Sequence, residues 1–405
     1  MKILLAAFAV ACALGIVPAI AQTPPSPAPA ASASPAGSAA PAASPSPSSP
    51  PRPWQASGFA AASYNDSSLG PGTAGFSFAN GAPSRVFDTI SRAPMLNAIN
   101  VQLQKSGALF GKIELTAGTN ANVIASYPYA NDPNALQSAF DVTQAYVGGS
   151  SGAFSLQAGK FETLAGAEVI EDPSDMNVSR SILFGYAVPF THTGVRLTYT
   201  ASPALSLIAG VNNGWDNLKG SGGGPTTEVG AAYTGSVLSV TAQGYAGNER
   251  YSNAMWSAAG DSPLGHRSLI DVVATYHAGS KLTLVGNYDD GRQTSVVLVD
   301  ATGTALPGLG TASWSGFAGY AQYQFTPKLS AAVRSETFRD RGGYRTGDDQ
   351  QWNETTLTLA YALSSPLTLR VEGRADGSNH PVWADAVGAL HGAMQSLAAQ
   401  VLVKF

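Results

Sequence analysis

The sequence predicts an all-β fold: a transmembrane, antiparallel, up-and-down β-barrel of about sixteen strands behind a disordered N-terminal segment. Three observations predict it. The last eleven residues, QSLAAQVLVKF, place Leu397, Ala399, Val401, Val403 and Phe405 on one face of a strand and Ser396, Ala398, Gln400 and Lys404 on the other, with Leu402 the one lapse. An apolar face suits lipid, a polar face suits a wet lumen, and a terminal aromatic suits the membrane interface. Similar segments recur from Trp54 onward, and the connections between them alternate long and short. Charged residues make up only 12% of the chain and no stretch after residue 21 is apolar enough for a spanning helix, so the membrane reading falls to strands.

The N-terminal elements come first. Lys2, the apolar run 3–17 and Ala19-Ile20-Ala21 read as a signal peptide over residues 1–21, cleaved before Gln22. The single cysteine, Cys12, lies inside it. A lipoprotein cut before Cys12 would split the apolar run, so the expected mature chain has no thiol chemistry and no cysteine metal ligand. Without Lys2, 21 basic side chains face 26 acidic ones, a net charge of −5, which implies no nucleic acid and no strongly charged partner. Residues 22–53 are almost pure Pro, Ala and Ser and read as an extended linker that cannot build a core. That linker is an inert spacer or a periplasmic tether making cell-wall contact through residues 23–53. Residues 54–405 are the barrel domain.

Alternation predicts strands near 54–63, 97–105, 110–118, 140–148, 154–161, 193–201, 204–212, 226–235, 237–246, 268–277, 281–290, 314–325, 328–338, 353–362, 366–374 and 395–405. In the second, Ile99, Val101 and Leu103 oppose Asn100, Gln102 and Gln104; in the sixth, Val195, Leu197 and Tyr199 oppose Arg196, Thr198 and Thr200. In the fifteenth, Leu367, Leu369 and Val371 oppose Thr368, Arg370, Glu372 and Arg374. The fourth is ambiguous, because Gln144 shares a face with Phe140, Val142 and Tyr146. Short turns such as Ser106-Gly107, Ser202-Pro203 and Thr326-Pro327 alternate with long connections such as 64–96, 119–139, 162–192 and 375–394. A soluble sandwich has no reason to keep that order; a barrel with periplasmic turns and external loops does. With the N-terminus periplasmic, Tyr199, Tyr233, Tyr276, Phe325, Tyr361 and Phe405 form one aromatic girdle on the lipid face.

The third long connection carries the most distinctive stretch. Gly159-Lys160-Phe161, Glu168, Asn177, Ser179-Arg180-Ser181 and Pro189-Phe190-Thr191-His192-Thr193-Gly194-Val195-Arg196, followed by Asn212-Asn213-Gly214-Trp215-Asp216, resemble the signature of the OmpL-like family of β-barrel outer-membrane porins. The resemblance is specific over about 160–217 and rests on strand pattern elsewhere. It implies an outer-membrane pore but no particular substrate; the function expected of the whole chain is passive diffusion of small hydrophilic solutes or ions, with no catalysis and no cofactor. Partners follow as outer-membrane lipid and lipopolysaccharide, and, by analogy with general porins, a homotrimer.

A sixteen-strand barrel is wide enough for an aqueous channel, so something must narrow it. The candidate is the third external loop, made acidic by Glu162, Glu168, Glu171, Asp172 and Asp175. Arg196, Arg334, Arg370 and Arg374 occupy lumen-facing wall positions. Acid facing base across a gap would set a transverse field that sorts ions and dipolar solutes. The alternative is local pairing of Arg334 with Glu336 and Arg370 with Glu372, with Arg180 pinning the loop's own fold through a carboxylate. Two other functional classes stay open: an envelope anchor in which 23–53 works and the barrel plugs, and an outer-membrane hydrolase using His192 beside Thr191 and Thr193. The hydrolase lacks any oxyanion or nucleophile context. The five histidines form no metal-binding motif.

Overall fold

A computed structural model describes residues 54–79, 84–126, 139–220, 222–250 and 264–405. The signal-peptide, linker and tether expectations lie outside them.

Sixteen strands form one closed antiparallel barrel, each hydrogen-bonded to its sequence neighbours. They are β1 (Gln55–Ser67), β2 (Ala93–Lys105), β3 (Leu109–Ala117), β4 (Phe140–Ser151), β5 (Phe154–Glu162), β6 (Thr191–Ser202), β7 (Leu205–Asn212) and β8 (Thr226–Thr234). The second half comprises β9 (Leu238–Arg250), β10 (Leu264–Ala278), β11 (Leu282–Val296), β12 (Gly310–Thr326), β13 (Leu329–Arg341), β14 (Gln350–Ala362), β15 (Leu367–Ser378) and β16 (Ala393–Lys404). The ring closes where β1 pairs with β16, from Phe59 opposite Lys404 to Ser67 opposite Ser396. Closure leaves no strand edge unpaired, the condition for a sheet to stand in hydrocarbon.

All sixteen expected strands are present. Their apolar faces point outward: Ile99, Val101, Val195, Leu197, Leu369, Val371, Leu397 and Val401 are exposed, while Asn100, Arg196, Arg370, Glu372, Ser396 and Gln400 are buried inside. The six girdle aromatics, from Tyr199 to Phe405, are all on the outer surface. Leu402 faces inward as its phase requires and packs with Phe59, Ala61 and Ala98. The ambiguity of the fourth strand has a physical source. Register shifts between Glu114 and Leu115 on β3, whose partners on β4 are Gln144 and Val142. The extra residue, Thr143, is a bulge that reverses the phase of everything after it. Thr143 and Gln144 are therefore both buried, while Phe140 and Val142 before the bulge, and Val147 after it, face out.

The connections alternate in length, and several of the long ones send side chains inward. Phe76, Phe78 and Phe87 from the connection after β1, Ile182, Phe184 and Tyr186 from the one after β5, and Trp215 and Trp383 from later ones join the wall residues Trp314, Phe338 and Trp352 in a single buried cluster. The barrel thus carries a hydrophobic core inside its lumen. Trp352 shows the assembly: it packs on Phe78, Tyr186 and Trp383 at ring separations of 5.2, 5.9 and 5.8 Å.

Candidate functional site: the loop inside the lumen

The segment between Glu162 and Thr191 leaves the barrel rim and crosses the lumen. Its roots explain the glycines of the signature. Gly159 on β5 lies opposite Gly194 on β6. A Cβ on Gly159, whose φ is +133°, would sit 2.2 Å from the Ala145 carbonyl, and one on Gly194 would sit 2.2 Å from the Val211 carbonyl. Only glycine allows the strands to approach so closely where the loop departs.

Within the loop, Arg180 holds the turn together. Its Nε lies 2.9 Å from Asp175 and its Nη1 3.7 Å from Asp172. It also donates to the carbonyls of Val169 and Ile170. Burial lowers the Arg180 pKa, but Asp175, Asp172 and Glu168 outweigh it and the net direction is upward. Burial pushes the Asp175 carboxyl up against the pull of Arg180. Ser181 caps the short helix α1 (Ile182–Tyr186) by accepting from the Phe184 N–H at 3.0 Å.

The loop is tied to the wall six or more strands away from its roots. Arg334 on β13 donates to Glu168 Oε1 and the Ser179 carbonyl, each at 2.7 Å, and to Glu354 at 2.8 Å. Arg370 on β15 donates to the carbonyls of Asp175, Asn177 and Asp172 at 2.9–3.1 Å. Arg374 donates to the Arg180 carbonyl at 2.7 Å and pairs with Asp376 at 2.6 Å. Two carboxylates complete the clamp. Glu336 accepts from the N–H groups of Ile182 and Leu183 at 2.7 and 3.1 Å, and Glu372 from those of Val178 and Ser179 at 2.6 and 3.0 Å. Every one of these contacts is charge-assisted, the stronger class of hydrogen bond.

Arg334, Arg370 and Arg374 are thus in direct contact with the loop, and the Arg334 side chain is 0% exposed. Arg334 lies 3.8 Å from its strand neighbour Glu336, farther than from Glu168 or Glu354. Arg196 is on the opposite side, at the loop's root, paired with Glu228 at 2.8 Å and lying over the Phe161 ring. Asp172 is buried and accepts from Asn120 and Gln400.

Glu162 and Glu171 differ from the other loop acids. They gather with Glu114 of β3 so that carboxylate oxygens of all three lie within 4.8 Å of one another. Lys112 joins them, 2.6 Å from Glu114 and 3.5 Å from Glu171. Burial and Glu114 raise the Glu171 carboxyl. Here water reaches the charges: the Glu171 side chain is 14% exposed and that of Lys112 11%.

Sequence reasoning missed Lys112, Glu114 and the first loop, whose Arg85 bridges to Asp376 at 2.7 Å. Lys112 and Glu114 carried a signal, since both fall on the inward phase of β3. His192 is fully buried, stacked on Tyr245 at 4.8 Å with Nδ1 at 3.2 Å from the Gly214 carbonyl. No serine or carboxylate hydrogen-bonds to it among the described residues, which leaves the hydrolase reading without geometry.

Comparison with known proteins adds three findings. Residues 57–403 match the family model described as "Putative beta-barrel porin-2, OmpL-like". No curated protein matches the chain. Among solved structures, the barrel is similar to the outer-membrane channel DcaP of Acinetobacter baumannii, with a TM-score of 0.56 at 11% identity over 87% of this chain and 97% of that one. It is also similar to the trimer form of OmpT from Vibrio cholerae, with a TM-score of 0.54 at 11% identity over 87% and 99%. The anion-selective porin from Comamonas acidovorans gives a TM-score of 0.55 at 11% identity over 87% and 99%.

Proposed function

The chain belongs to the OmpL-like family of β-barrel porins, and from that membership we propose that it passes small hydrophilic solutes or ions across the outer membrane through a lumen narrowed by the loop 163–190. The observation that carries the reading is the clamp by which Arg334, Arg370, Glu336 and Glu372 tie that loop to the far wall. A loop so held is a fixed constriction, and the residues that hold it are not those that meet the solute. The passage then runs beside the opposite wall, where Gln102, Glu162 and Glu171 are partly exposed beside the largely buried Lys112. Three carboxylates against one ammonium favour cations there. Assembly as a homotrimer fits the reading; the OmpT structure is itself a trimer form.

Refolded protein in a planar bilayer under a salt gradient tests this. Wild type should conduct with a cation-favouring reversal potential, and the double variant Glu162→Gln/Glu171→Gln should shift it towards anions. Neutralising Arg334, Arg370 and Arg374 should instead raise conductance or noise by loosening the loop. A shift in selectivity from the arginines and none from the glutamates would move the passage to the arginine wall.

A further inference from the structure

Asp271 on β10 and Asp289 on β11 are direct cross-strand partners. Both are 0% exposed. Opposed residues hold their Cβ atoms about 5 Å apart on one face of a sheet, so the two carboxylates confront each other. Asp271 is half satisfied. Its Oδ2 accepts from the Gly166 N–H of the inserted loop at 3.0 Å and from Asn287 Nδ2 at 2.8 Å. Its Oδ1 and both oxygens of Asp289 meet no donor among the described residues. No lysine or arginine among the described residues pairs with either, and the further charge nearest in effect, Glu336, has the same sign.

Two carboxylates shut away together require compensating positive charge. A proton shared between them neutralises one charge and still leaves an oxygen without a donor. A divalent cation neutralises both, and carboxylate oxygens are the ligands that hard cations choose. The Glu114, Glu162 and Glu171 group differs, because Lys112 offsets part of its charge and water reaches it.

We propose that Asp271 and Asp289 form an oxygen-ligand site for a hard divalent cation of the calcium class, which fastens the inserted loop to the β10–β11 wall. Asp271 is the link: one oxygen holds the Gly166 N–H and the other faces the ion. Ala167 N–H to Asn287 Oδ1 at 3.0 Å secures the same stretch of loop beside it. The site lies apart from the passage, so its occupancy governs how firmly the loop is seated rather than which solute passes.

Calcium titration of the refolded full-length chain in detergent, read by the thermal unfolding midpoint and by calcium stoichiometry, tests the proposal. Wild type should bind about one equivalent and melt higher in calcium than in chelator. Asp289→Asn should lower calcium affinity at least about tenfold, while Glu162→Gln/Glu171→Gln should retain it. No calcium effect on wild type, or an effect that survives in Asp289→Asn, overturns the site. A protonated-carboxyl infrared band in calcium-saturated protein that Asp289→Asn removes overturns it too. Should Asp289→Asn fail to refold, Asp271→Asn takes its place, and the wild-type comparison of calcium with chelator decides by itself.

Discussion

Glu372 shows how much of the site depends on single atoms. Its two oxygens take the N–H groups of Val178 and Ser179, and Thr358 Oγ1 adds a third bond at 2.7 Å. Hydrogen bonds to a charged acceptor contribute roughly 1.5–3 kcal/mol each, and a buried N–H left without one loses that in full. Glu372→Gln keeps the shape but removes the charge and turns one acceptor into a donor that faces another donor. The loop should then open locally with about 2 kcal/mol less resistance, equivalent to about thirtyfold faster amide exchange at Val178 and Ser179. Unchanged exchange there, with the barrel intact, would show that the arginines alone hold the loop. A swap of Arg334 for Lys would be a poor conservative test. One guanidinium reaches Glu168, Ser179, Glu354 and Thr356 at once, and an ammonium cannot span that fork.

At the scale of elements, strands and loops differ in how far a sequence exposes them. A membrane strand writes its environment into alternate residues, so β2, β6 and β15 were legible from period two alone, and β4 was obscured only by the bulge at Thr143. Trp314 and Trp352 were legible in the same way, since their phase matches Tyr320 and Glu354, yet an inward tryptophan is informative only once something is known to fill the lumen. Loop partners leave no such trace. Arg334 meets Glu168 across 166 residues, and Arg85 meets Asp376 across 291. Acidity identified the third loop, but whether an acid turns to the wall, as Glu168 does, or to water, as Glu171 does, is decided by its neighbours in space. The first loop also contributes to the plug and carries its own pH dependence. Burial pushes Asp88 up from 3.8 to about 6, with Arg85 pulling the other way. A carboxyl whose folded pKa is raised binds its proton more tightly when folded, so its contribution is complete below about pH 4 and lost as the pH rises through about 6. Two pKa units correspond to about 3 kcal/mol. Amide exchange in residues 84–92, corrected for intrinsic rates, should therefore be slower at pH 4.5 than at pH 7.5, and Asp88→Asn should flatten the difference. Equal protection at both pH values in the parent chain would place Asp88 outside the docking equilibrium.

For the molecule as a whole, the decisive asymmetry is between the two ends of the barrel. One end has turns as short as Ser202 to Leu205, ringed by Tyr199, Tyr233, Tyr276, Phe325, Tyr361 and Phe405. The other bears the long connections, and those after β1 and β5 send most of the loop side chains that build the plug into the lumen. An antiparallel barrel inserted from the periplasm keeps its short turns on the periplasmic side, because long polar loops must be carried across only once and then stay outside. The only cysteine in the sequence is Cys12, so a cysteine introduced into the barrel is a unique label once the predicted signal is removed. Val387, 89% exposed in the connection 379–392, represents the long-loop end, and the exposed Ser280 in the turn between β10 and β11 the short-turn end. On intact cells, a polymer-linked maleimide too large for the lumen should label Val387→Cys and not Ser280→Cys. After the outer membrane is breached it should label both. Labelling of Ser280→Cys on intact cells, with Val387→Cys protected, would invert the barrel. The inserted loop would then lie towards the periplasmic mouth, and the proposed cation-favouring passage beside Glu162 and Glu171 would open to the outside first.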